Sequence, residues 1–173
     1  MEGDEEKRYA VLLCAEDSEY VRKKHGGYFG VFILGRALGG KVSRSPTGWD
    51  IGVRTITLSS SSPLALTSLD IPLKLSIIEC HRDEVRELPA KAEVIAWSEK
   101  TGIEMFRYGD HIMGIQGHPE YSKDILLHLI DRLLNKDYIM DDLAVEVREK
   151  IAFWEPDKEA WKRICVSFLK GRL

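Results

Sequence analysis

Ile112-Met113-Gly114-Ile115-Gln116-Gly117-His118-Pro119-Glu120-Tyr121-Ser122 runs from an apolar strand through a polar corner to a helix cap, and this passage marks the chain as α/β. Ile112 to Ile115 is a short apolar run that suits a strand. From Ser122 the period changes. Ile125, Leu126, Leu129, Ile130, Leu133 and Leu134 make a two-wide stripe at helical spacing, with the Ser122 hydroxyl placed to cap the first turn. Ligand chemistry in α/β sheets gathers outside the carboxyl ends of strands, so Gln116 to Glu120 is the first place to look for a site.

Upstream, Tyr9 to Ala15 is continuously apolar, as a parallel strand covered on both faces requires. Tyr28 to Leu38 is apolar on almost every side until Arg36 and predicts one buried helix, stopped by Gly39 and Gly40. Ile51 to Leu58 alternates like a half-exposed, edge-like strand, and Ser59 to Pro63 is a polar linker. Leu75 to Cys80, Glu93 to Trp97 and Ile103 to Phe106 continue the sheet, the last two joined by a turn at Glu99 to Gly102. Beyond the Ser122 helix, two more are expected at Asp141 to Ile151 and Asp157 to Lys170. The second buries Trp161, Ile164, Cys165, Phe168 and Leu169 and stops at Gly171.

At 173 residues the chain is one domain, 1–173, and its 44% hydrophobic content is enough to build a core. Lys plus Arg number 25 against 28 Asp plus Glu, a net charge of −3 that implies no nucleic-acid partner. The start, Met1 to Tyr9, is acidic and lacks the pattern of an export signal, and no apolar run approaches a membrane span. Cys14, Cys80 and Cys165 are odd in number and widely spaced, which points to a reducing compartment and hence to the cytosol.

His118 and Glu120 carry the chemistry. A carboxylate two residues from an imidazole, with Pro119 stiffening the backbone between them, can orient that imidazole as a general base. The plainer alternative is a turn in which His118 packs and Glu120 opens a helix. His81 and Asp83 follow a predicted strand and could line the same edge, or could lie in a surface turn. A mixed nitrogen and oxygen metal site of His81, Asp83, His118 and Glu120 is a further alternative. His25, His111 and His128 occupy a loop, a strand approach and a helix, and none is assigned a role.

Several stretches act together: Gly26-Gly27-Tyr28-Phe29, Ile33 to Val42, Cys80 to Val85 with Leu88-Pro89, Gln116 to Tyr121, and the ending Phe168 to Arg172. In this combination the chain resembles the class I glutamine amidotransferase-like family, and within it the plant γ-glutamyl peptidases. The resemblance implies a three-layer, flavodoxin-like parallel sheet with an antiparallel extension and C-terminal helices. It also implies a reaction in which a cysteine in a Gly-x-Cys-x-Gly elbow attacks a γ-glutamyl carbonyl, aided by the His and Glu of Gly-His-Pro-Glu. Carried over by position, His118 is the base and Glu120 its orienter, while His81 and Asp83 match a motif near the glutamyl pocket. The implied substrates are γ-glutamyl peptides, glutathione and its conjugates, and no cofactor is implied.

One departure matters most. None of Cys14, Cys80 and Cys165 stands in a Gly-x-Cys-x-Gly elbow. In the family the elbow directly precedes the segment seen here as Ile33 to Leu38, which in this chain follows directly on Gly30-Val31-Phe32. The domain is therefore expected to be incomplete, interrupted near residues 32–33 by exon skipping or a gene-model error, with intervening strands and the nucleophile lost. Two functions follow as expectations: a catalytically disabled γ-glutamyl peptidase-like protein, or a non-catalytic binding or regulatory isoform that pairs with full-length relatives.

Overall fold

Period-two stretches through the middle of the chain become strands because alternate side chains can be buried while every backbone amide joins a ladder. The computed structural model describes residues 9–12, 31–59 and 69–173. Among these lie β1 (Tyr9–Leu12), β2 (Lys41–Arg44), β3 (Asp50–Leu58), β4 (Lys74–His81), β5 (Asp83–Glu87), β6 (Ala92–Ser98), β7 (Gly102–Tyr108) and β8 (Ile112–Ile115). Among the described residues the main sheet has six strands in the order β1-β8-β7-β6-β3-β4, and β2 pairs with β5 in a separate ribbon. β1 and β8 run parallel, in register from Tyr9 opposite Ile112 to Leu12 opposite Ile115. The other described strand pairs are antiparallel, so the antiparallel extension makes up most of this sheet. Residues 13–15 of the expected first strand, the Gly26–Phe29 stretch and most of the Ser59–Pro63 linker lie outside the described residues.

The helix expected from Tyr28 is α1 (Val31–Ala37), continuous through Phe32 and Ile33. Leu34 packs against Val85 and Phe106, whereas Arg36 is exposed, so the described part buries one side only. The helix ends where Gly39 takes φ 95°, a left-handed conformation that lets the Gly40 amide reach the Gly35 carbonyl at 2.8 Å.

β3 corrects the edge-strand expectation in part. It is flanked on both sides in the sheet, yet only Thr57 and Leu58 pair with β6, while Asp50 to Thr57 pair with β4. Its middle is open, with Thr55 exposed, but Asp50, Ile51 and Gly52 at its start are buried, because that end dips under neighbouring elements. The polar stretch after Cys80 is likewise no simple turn. β4 continues through His81, Arg82 alone intervenes, and β5 begins at Asp83.

Helices cover both faces of the sheet. On one side α4 (Lys158–Leu169) presses Trp161, Ile164 and Phe168 onto Ile56, Leu75, Ile77, Met105, Met113 and Ile115. The Trp161 indole donates to the Ser76 carbonyl at 3.0 Å, satisfying the one polar atom of that ring. On the other side α2 (Lys123–Leu134) and α3 (Asp141–Ile151) bury Leu126, Leu129, Ile130, Ala144, Val147 and Ile151 against Ile51 and Ile78. Ser122 caps α2, its hydroxyl accepting from the Ile125 amide. No helix among the described residues is long and apolar enough to cross a membrane.

The sheet curls strongly. The segment leaving β8 meets β4, at the far end of the strand order, through a bridge in which the His118 amide donates to the Ile78 carbonyl at 2.7 Å. That closure places the corner after β8 directly over the end of β4.

Candidate active site

His118 stands at this closure, fully buried. Contacts hold both its ring and its backbone. The amide is tied to Ile78, the ring stacks on Tyr121 with centroids 3.9 Å apart and planes 4° from parallel, and Nδ1 lies 2.9 Å from Glu120 Oε1. The Glu120 side chain is 40% exposed, so the pair spans from interior to surface. A carboxylate can only accept, so Nδ1 carries the proton in the neutral ring and Nε2 is left as the lone-pair nitrogen. Nε2 has no hydrogen-bond partner among the described residues. An imidazole oriented by an acid on one nitrogen, with the other buried and unpartnered among the described residues, can act as a general base.

The glycine before it is closely covered by two side-chain ends. A Cβ on Gly117 would fall 2.3 Å from Glu79 Oε1 and 2.7 Å from Ile77 Cδ1. The backbone leading to His118 therefore rests on the buried carboxyl of Glu79. Gln116, also buried, ties the same corner to its neighbours by accepting from the Val85 amide at 2.9 Å and donating to the Ile103 carbonyl.

Beneath the corner lies a polar group of side chains that the apolar look of the strands conceals. Glu79 Oε2 is 3.1 Å from His81 Nε2, and Glu104 Oε1 accepts from the Ser98 hydroxyl at 2.5 Å. Asp50, beside them, is held by Arg54 Nε at 2.6 Å and by the Thr101 hydroxyl at 2.9 Å, with Lys100 at 3.5 Å. Burial pushes the Glu79 carboxyl well above the usual carboxylate range, and the nearby Asp50 charge adds to it. Burial, then the Glu79 charge, pushes Glu104 up to about 9. Burial would also raise Asp50, but Arg54 and Lys100 outweigh it and hold that carboxyl low.

The structure separates the other two predicted residues. His81 is buried against Glu79, whereas the Asp83 carboxylate is 45% exposed and faces Arg44 Nε at 3.6 Å on the β2 ribbon. The four-residue metal site of His81, Asp83, His118 and Glu120 is not assembled. The metal-type cluster among the described residues is instead Glu79, His81 and Glu104. Two of these went unremarked in the sequence, although Ile77, Glu79 and His81 alternate onto one face of β4.

Neither described thiol is in contact with the imidazole of His118. Cys80 alternates to the face opposite His81 and packs with the α2 and α3 core, and Cys165 lies on α4. Burial, reinforced by the Glu120 charge, pushes the Cys165 thiol up, the reverse of an activated nucleophile. Cys14 is outside the described residues.

Comparison with known proteins shows the family and the fold. The family model described as glutamine amidotransferase class-I matches residues 20–127. Gamma-glutamyl peptidase 5 of Arabidopsis thaliana is 43% identical over 162 residues, covering 92% of this chain and 64% of that protein. Gamma-glutamyl peptidase 3 of the same plant is 38% identical over 169 residues, covering 94% of this chain and 68% of that protein. The chain thus spans about two thirds of the length of these relatives. Among solved structures, a glutamine amidotransferase from Thermotoga maritima superposes with a TM-score of 0.63 at 23% identity, over 83% of this chain and 59% of that one, a likeness of fold.

Proposed function

This chain belongs to the glutamine amidotransferase class-I family, and from that membership we propose that its site is the proton-handling half of a γ-glutamyl hydrolase. His118 is the general base and Glu120 the carboxylate that orients it. The observation that carries this reading is the 2.9 Å contact of His118 Nδ1 with Glu120 beside an unpartnered Nε2. In the complete reaction the nucleophilic thiol passes its proton to that nitrogen while sulfur attacks the γ-glutamyl carbonyl. The expelled amine then takes the proton back, leaving a thioester, and water activated at the same nitrogen releases glutamate and restores the thiol. The substrates are γ-glutamyl peptides, glutathione and its conjugates among them, met in the cytosol.

The chain by itself does not turn over, because no cysteine of Gly-x-Cys-x-Gly context is present and the domain 1–173 is interrupted near Phe32 and Ile33. The chain spans about two thirds of the length of these relatives. A skipped exon is the proposed cause of the missing elbow, and a non-catalytic isoform that pairs with full-length relatives is the alternative role.

Release of glutamate from glutathione is the test. The chain as it stands should give none above buffer, and the missing block of a γ-glutamyl peptidase inserted between Phe32 and Ile33 should give turnover that His118→Ala abolishes. Turnover by the unaltered chain would refute the loss of the nucleophile. Turnover of the restored chain that survives His118→Ala would refute the role of the base. Co-purification of the short chain with a full-length relative would favour the pairing role.

A further inference from the structure

The buried polar group under the corner is not used by the hydrolytic reading. We propose that Glu79, His81 and Glu104 form a binding site for one divalent transition-metal cation of the zinc type, enclosed by the curl of the sheet.

Geometry comes first. Each of the three offers a ligand atom, and these atoms lie within 4.8 Å of one another. Donor atoms around a tetrahedral zinc are separated by roughly 3.3 Å, so closing on an ion requires a contraction that the torsions of two glutamates can supply. All three residues are at least 96% buried; Glu104 Oε2 and Glu79 Oε1 make no hydrogen bond among the described residues, and Glu79 Oε2 meets His81 Nε2 at 3.1 Å. A buried carboxyl oxygen with nothing to accept from is costly, and this site holds two of them.

The charges agree with the geometry. Arg54 and Lys100 are engaged at Asp50, where Arg54 also donates to the Ile51 carbonyl and Lys100 to the Trp49 carbonyl. Two glutamates therefore face each other with one imidazole, and among the described residues no lysine or arginine is ion-paired to either. A divalent ion held between them neutralises both carboxylates at once. One imidazole with two carboxylates suits zinc or manganese, and the nitrogen donor disfavours magnesium and calcium, which prefer oxygen alone. Held there, the ion would fix Glu79 and, through its contact at Gly117, the backbone of His118.

The experiment loads the full chain with zinc, desalts it and measures metal per chain by mass spectrometry. About one zinc per chain is expected, with affinity lowered by at least about tenfold in Glu104→Gln and in Glu79→Gln, the loss that even an outer-shell partner brings. Because a variant can fail to fold, two readouts use the unaltered chain. Zinc should raise its thermal midpoint over EDTA while magnesium does not. Cobalt should give ligand-field absorption without the charge-transfer band that a cysteine ligand adds. Metal near zero, equal retention by the folded glutamine variants, a thiolate-to-cobalt band, or identical midpoints in zinc and EDTA would each overturn the proposal.

Discussion

Glu79 Oε1 occupies the space where a side chain on residue 117 would begin, 2.3 Å from an ideal Cβ on Gly117, so a buried acid on β4 sets the seat of the loop that carries His118. The two positions are 38 residues apart in sequence and meet only because the sheet curls shut. Gly117→Ala must push the corner or the carboxyl aside, and overpacking of this kind costs about 1–3 kcal/mol. Urea unfolding should show that loss, and Glu79→Ala in the same chain should relieve part of it. Strict additivity of the two changes would mean that the contact does not exist in solution.

In the chain restored with the missing block, Glu120→Gln keeps the shape of the side chain while removing its charge. The amide can still accept from Nδ1, but it no longer stabilises an imidazolium and can turn its NH2 toward the ring, favouring the wrong tautomer. Turnover should fall about 10²–10⁴-fold, with the larger part of the loss in kcat. A change under twofold in steady-state assays would reduce Glu120 to a surface residue that happens to lie near His118.

The helices and most strand cores were legible because each is a local pattern. The stripe from Ile125 to Leu134 and the cap at Ser122 needed nothing beyond their own spacing, and Asp141–Ile151 falls where the periodicity predicts. The contact between His118 and Glu120 was legible for the same reason, two residues apart on one corner. Glu79 and Glu104 were not, because each interrupts an apolar strand in a way that reads as a solvent-facing position. What turns them inward is the bridge between Ile78 and His118, a contact between distant segments that no window of sequence contains. The mixed character of β3 was hidden similarly, since its pairing to β6 stops after two residues.

Asp50 gives the pH dependence a definite sign. Its carboxyl is held below its ordinary value of 3.8 by Arg54 and Lys100, which together outweigh the effect of burial. A group depressed in the folded state contributes stability that is present above its unfolded pKa and lost as pH falls through the folded one. Asp50→Asn should therefore destabilise the chain by about 1–3 kcal/mol near neutrality, where charge-assisted hydrogen bonds from Arg54 and Thr101 are lost. Denaturant unfolding as a function of pH should show that gap narrowing as the solution falls below 3.8, where the unaltered carboxyl also takes up its proton. A gap independent of pH would mean that packing, not charge, is what Asn disturbs.

Cys165 offers the last check, on whether a surviving thiol has taken over the attack. It lies on α4, partly buried, packed against the core of Trp161 and Phe168, and its thiol is pushed up by burial and then by the Glu120 charge. The reactive species is the thiolate, so a raised pKa makes this sulfur slower, whereas a catalytic cysteine is made faster by a neighbouring cation or a helix start. Iodoacetamide labelling near neutral pH, followed by peptide mass spectrometry, should modify Cys165 more slowly than free glutathione in the same tube. Cys165→Ser should leave the turnover of the restored chain unchanged. Labelling of Cys165 faster than glutathione, with protection by a γ-glutamyl ligand, would show that the chain has rebuilt a nucleophile on its last helix and that its site is not the disabled one described above.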